Sequence, residues 1–136
     1  MPDLDRIEDE LRLGEQPPDD AVLVVRGGPL AAEKLLVHVH RQQRLYSYRG
    51  QPMASVSVSA TMTGWTLEAL LAGPLVSRRQ FATTTVATLR SAGYELLATG
   101  PAPHFDIVMG EVSLDACEHL LAHFSAARDN PYKRRR

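Results

Sequence analysis

The sequence predicts an α+β fold: a single domain with a sheet of about four strands, mixed in direction, packed against helices. Three observations carry this expectation. Ala21 to Val25 is a continuous apolar, β-branched run closed by Arg26-Gly27-Gly28-Pro29, which fits a central strand buried on both faces. Ser55, Ser57, Ser59 and Thr61 alternate with Val56, Val58, Ala60 and Met62, the period of a strand with one apolar face. Elsewhere apolar residues recur at spacings of three and four, as on helices that cover such a sheet. With 136 residues, 44% of them hydrophobic, the chain is long enough for one ordinary core.

The elements are expected in the following order. Leu4, Ile7 and Leu11 stand among charged residues and define an N-terminal amphipathic helix over 1–16, ended near Gly14 and docked on the body. A core of residues 17–128 follows. After the Ala21–Val25 strand, Leu30 to Tyr46 reads as a helix with Ala32, Leu35, Leu36 and Val39 inward and Lys34, His38, Arg41 and Arg44 directed elsewhere. His38 and His40 are two apart, about 200° around a helix, so they cannot share a metal there. Tyr48-Arg49-Gly50-Gln51-Pro52 breaks the pattern before the alternating strand, whose hydroxyl row is either wet or lines a cleft.

Thr66 caps a short helix that Gly73-Pro74 ends, and Arg78 to Ala92 is read as a helix with Phe81, Ala82, Val86 and Leu89 on one stripe. Arg78 and Arg79 at its start oppose the helix dipole, which calls for an anion or acidic side chain nearby. Gly93 stops the helix in a left-handed conformation and Tyr94 packs back on the last turn. Tyr94–Thr99 and Phe105–Met109 then form an antiparallel pair of strands. Ser113 caps a last helix carrying Leu114, Cys117, Leu120, Leu121 and Phe124. Its other face holds Asp115, His119 and His123, a solvated face or two imidazoles of an incomplete metal site. Asp129-Asn130-Pro131 is expected to end ordered structure, leaving 129–136 as a basic flexible tail.

The charge pattern narrows the partners. The net charge is −1, yet residues 1–20 hold eight of the sixteen carboxylates, while between Lys34 and Arg90 seven basic residues face one acid, Glu68. Such a basic middle attracts polyanions, so Lys34, Arg41, Arg44, Arg49, Arg78 and Arg79, with the hydroxyls of Ser55, Ser57 and Ser59, are the expected nucleic-acid or anion-binding residues. Alternatively, the acidic segment neutralises the basic one within the molecule. No apolar run reaches membrane length and no secretory signal opens the chain, so a cytoplasmic location is expected. The single Cys117 sits at an apolar helix position and reads as a buried hydrophobe. No metal or cofactor is expected. Abundant alanine and arginine with few lysines suggest a GC-rich bacterial source.

Leu-Arg-Ser-Ala-Gly-Tyr-Glu-Leu, followed eleven residues after Gly93 by His104 and an apolar strand, resembles the HicA family of small toxin ribonucleases over residues 86–109. The resemblance implies that His104 is the catalytic residue in acid–base cleavage of RNA and that an antitoxin protein is the partner. On its own chemistry, imidazole suits proton transfer near neutrality, and His104 equally fits a strand start satisfied by the backbone. Arg26 at the end of a first strand, the serine row at 55–59 and a later Glu111 keep the order seen in ADP-ribosyltransferases, which would make the protein an NAD-dependent transferase. The reading that needs fewest coincidences is a non-catalytic binding or accessory module that meets another protein, or RNA, through charged surfaces. Whether it is an enzyme, and its oligomeric state, stay open at this level.

Overall fold

The computed structural model describes residues 16–27, 30–48, 50–62, 64–99 and 103–133. The expected N-terminal helix, Arg49 and Arg134 to Arg136 lie outside the described residues, apart from Gln16 at the end of the helix range. The fold is α+β. Its elements are β1 (Val22–Gly27), α1 (Ala32–Leu45), β2 (Ser47–Tyr48), β3 (Gln51–Pro52), β4 (Ser55–Ala60), α2 (Leu67–Ala72), β5 (Gln80–Thr85), α3 (Val86–Ser91), β6 (Leu96–Leu97), β7 (His104–Val108), α4 (Leu114–Leu121) and β8 (Arg128–Asp129).

Six strands form one sheet in the order β6-β7-β4-β1-β5-β8, and every pairing is antiparallel. The expected mixed sheet of about four strands is thereby corrected in both number and direction. The two extra strands are β8, in the segment expected to be a tail, and β5, from residues 80–85, expected to be helical. Phe81 and Ala82 enter the two opposite faces of the sheet, and the β-branched Thr83, Thr84 and Thr85 suit the extended backbone that pairs with β1 over six positions. Only Val86–Ser91 is helical, capped by Thr85 Oγ1 accepting from Thr88 N–H. Arg78 and Arg79 therefore precede a strand, and the helix-dipole argument for an anion beside them falls away.

β1 is central, as its apolar run requires: Leu23, Val24 and Val25 have at most 1% of their surface exposed. Leu23 and Val25 face the larger core with Val56, Val58, Phe105, Ile107, Cys117 and Leu120. Val24 points the other way, into a smaller core with Leu70, Leu71, Leu75 and Phe81. That second core, roofed by α2, covers only the β1–β5 half of its face.

Order does not stop at Asp129. β8 pairs with β5, Arg128 stacks over the Phe81 ring at 4.7 Å, and buried Asn130 donates to the carbonyls of Leu71 (3.1 Å) and Leu75 (3.0 Å). Asp129-Asn130-Pro131 and the basic residues beyond it read from the sequence as a tail; the two Asn130 bonds to carbonyls at and just past the end of α2 fix this residue instead. Gly93 has φ 89°, and Tyr94 N–H donates to Leu89 O at 3.0 Å, the expected helix stop. No helix among the described residues is long and apolar enough to cross a membrane.

Candidate functional site

The site begins with an interruption in the sheet. β1 and β4 are registered only at Leu23↔Ala60 and Val24↔Ser59, whereas β4 pairs with β7 from Ser55↔Val108 to Ser59↔His104. Beyond Val24 the strands part, and the β1-facing backbone of Ser57 loses its ladder partners. Side chains replace them. Ser57 N–H donates to His38 Nε2 at 3.1 Å, and Arg26 Nη1 donates to Ser57 O at 2.7 Å. A buried backbone group without a partner costs about 1–3 kcal/mol, so these two contacts make the opening tolerable.

α1 lies along the opening. Leu35 and Val39 enter the large core, while His38 and buried Gln42 reach the polar face of β4 and β7. On that face Ser55, Ser57 and Ser59 are at most 8% exposed, so the hydroxyl row is not wet. It surrounds Asp106, a carboxylate 3% exposed. Asp106 Oδ1 accepts from Gln42 Nε2 (3.1 Å), Ser55 Oγ (3.2 Å) and Ser57 Oγ (3.2 Å), and Thr99 Oγ1 donates to Oδ2. Four donors offset the desolvation of one buried charge, which is the arrangement such a charge needs. His104, the residue opposite Ser59, places Nε2 3.6 Å from Asp106 Oδ2.

Three cavities meet at these residues. The largest, about 640 Å³, runs along α1 and is walled by Arg26, Lys34, His38, Arg41, Ser57 and Arg78 among others. A second, about 180 Å³, shares Arg26 and Arg78 with it and adds Ser59 and His104. A third, about 110 Å³, shares His104 with the second and Ser57 and Gln42 with the first, and reaches Asp106, Thr99, Tyr46 and Met53. No Asp or Glu lines the two larger cavities among the described residues. Burial lowers the affinity of Arg26 for its proton, with Arg78 adding to the effect and Asp106 opposing it. Burial likewise holds His38 below its ordinary pKa, aided by Arg26, Arg41 and Arg78 against Asp106. His104 is lowered too, by burial first and by Arg26, with Asp106 opposing. Both imidazoles are therefore biased toward the neutral form in the free protein.

Of the residues expected to bind anions, Lys34, Arg41, Arg78 and Ser57 come together in the large cavity and Ser59 in its neighbour. Ser55 is fully buried beneath Gln42 and spends its hydroxyl on Asp106. Arg44 is exposed in the last turn of α1, outside these walls, and exposed Arg79 offers its carbonyl to Asn130 N–H at 2.9 Å. Glu111 accepts from Ser113 Oγ at 2.7 Å and lines a separate cavity beside α4, so the carboxylate near Arg26 and the serines is Asp106. Gln42, Thr99 and Asp106 were not singled out by sequence reasoning. A lone carboxylate inside the apolar strand Phe105-Asp106-Ile107, on the same alternate face as a serine row, was the signal that could have found them.

Among the described residues no cluster of three or more His, Cys, Asp or Glu side chains is placed to hold a metal. No family model, curated protein or solved structure matches the chain.

Proposed function

We propose that the protein is a binding module for a phosphate-bearing ligand of small-molecule size, held where β1 and β4 separate. One observation carries this reading: Arg26 and Arg78 wall two adjoining cavities that have no described carboxylate in their lining. Paired guanidiniums repel each other, and a bound anion relieves that repulsion with charge-assisted hydrogen bonds. Lys34 and Arg41 extend the positive wall, and the larger cavity lies within the range of about 300–1,000 Å³ typical of small-ligand sites. Titration of inorganic pyrophosphate by calorimetry at about 50 mM salt tests the reading, with binding expected to weaken at higher salt. Arg78→Gln is expected to weaken binding about tenfold, the loss of one charge-assisted contact. Absence of binding at low salt sinks the proposal.

A second reading is supported by His104, which lines a cavity with the two arginines and lies 3.6 Å from Asp106. There the phosphate belongs to RNA and His104 acts as the proton-transfer group in its cleavage. Cleavage of a mixed RNA pool that disappears with His104→Ala would establish this reading, and intact RNA would remove it.

A further inference from the structure

We propose that the ligand is a phosphate ester carrying a free hydroxyl, of the sugar-phosphate class, with its phosphate between Arg26 and Arg78 and its hydroxyl between Asp106 Oδ2 and His104 Nε2. The inference rests on the anion-binding reading and adds the chemistry of the group attached to the phosphate.

Two side chains that line the smallest cavity carry atoms with unused hydrogen-bonding capacity. His104 Nε2 is enclosed and has no hydrogen-bond partner among the described residues. Asp106 Oδ1 takes three donors, whereas Oδ2 takes only Thr99 among the described residues and still has a lone pair to offer. The two atoms are 3.6 Å apart, beyond a good hydrogen bond with each other. A hydroxyl answers both. It donates to the carboxylate oxygen and accepts from the imidazole when Nε2 carries the proton, whereas a carbonyl cannot donate and an ammonium cannot accept.

The phosphate position follows from the walls of the cavities. His104 lines both the smallest cavity and the one holding Arg26, Arg78 and Ser59, so one small ligand spans the pair. The remainder of a larger ligand, such as a nucleotide, has the cavity along α1 for its other groups, because Arg26 and Arg78 border that cavity too.

The test compares ribose 5-phosphate with cyclopentylmethyl phosphate, a ring of the same size without hydroxyls, by calorimetric titration of the wild-type protein and of His104→Phe. Ribose 5-phosphate is expected to bind wild type roughly tenfold more tightly, the effect of one or two hydrogen bonds to a charged group. His104→Phe keeps a planar ring without Nε2 and should erase most of that preference. Equal affinity of the two phosphates for wild type overturns the hydroxyl assignment and leaves anion binding standing, with water serving the two atoms. Failure of both phosphates to bind overturns the anion reading itself. A preference that survives unchanged in His104→Phe overturns the placement beside His104.

Discussion

Asp106→Ala is the substitution that probes the centre of this molecule most directly. Removing the carboxylate leaves Gln42 Nε2, Ser55 Oγ, Ser57 Oγ and Thr99 Oγ1 without their shared acceptor. An unpaired buried donor costs about 1–3 kcal/mol, and serine and threonine hydroxyls can rotate toward one another, so the lower end applies to each. Four donors at about 1 kcal/mol give about 4 kcal/mol, a large part of the 5–15 kcal/mol that holds an ordinary domain folded. Asp106→Asn behaves differently. Its amide oxygen can occupy the Oδ1 position among three donors while its NH2 donates to Thr99, so only charge assistance is lost, about 1–2 kcal/mol. Urea unfolding of the two variants, compared at constant dependence on denaturant, reads both numbers. An Ala variant within about 1 kcal/mol of wild type would refute the reasoning, as would an Asn variant as damaged as Ala.

Two further outcomes follow from the same contacts. His38 and His104 both have pKa values lowered below 6.5 in the folded protein, so the unfolded chain binds more protons as pH falls below that value. Stability is therefore expected to fall as pH drops from about 7 through the 6.5 region and to level once the folded values are passed; His38→Gln, which keeps an acceptor for Ser57 N–H, should flatten the slope measured by urea midpoint against pH. Asn130→Ala should cost about 2 kcal/mol in thermal or urea unfolding, because the Leu71 and Leu75 carbonyls lose their donor, and an effect below about 0.5 kcal/mol would show the segment to be loosely held.

Much of the fold was legible because periodicity reports burial directly. The β1 run, the alternation in β4, Gly93 and the caps Thr66 and Ser113 are local signals, and each stands where the sequence placed it. Residues 80–85 were misread because Phe81, Ala82, Val86 and Leu89 also satisfy a helical stripe, and long-range pairing with β1 decided the matter. The site was less legible for the same reason. Nothing local in Gln42 or Thr99 announces that it donates to Asp106, across separations of 64 and 7 residues, and the serine row is buried among residues distant in sequence, with Gln42 over Ser55 and Ser57 and Pro74, Leu75 and His104 beside Ser59. Charge clustering did bring out Lys34, Arg41 and Arg78, yet it grouped Arg44 and Arg79 with them, since sequence proximity carries no direction around a helix or past a turn.

The short registration of β1 with β4 makes the sheet mechanically two plates joined by a seam. β1 and β5 are locked over six positions, and β4 and β7 over five, but the plates meet at Leu23–Ala60 and Val24–Ser59, with Thr61 bonded to Val22 at the closed end. Past that seam they are held by an imidazole and a guanidinium, which can swing away without unfolding either plate. The least costly deformation of the molecule is thus a widening of the seam's open end, and amide exchange at Ser57 should outpace that of its neighbours in the β4–β7 ladder. A ligand that recruits Arg26 draws on the same side chain that latches the plates, so occupancy and the stiffness of the sheet are coupled through one residue.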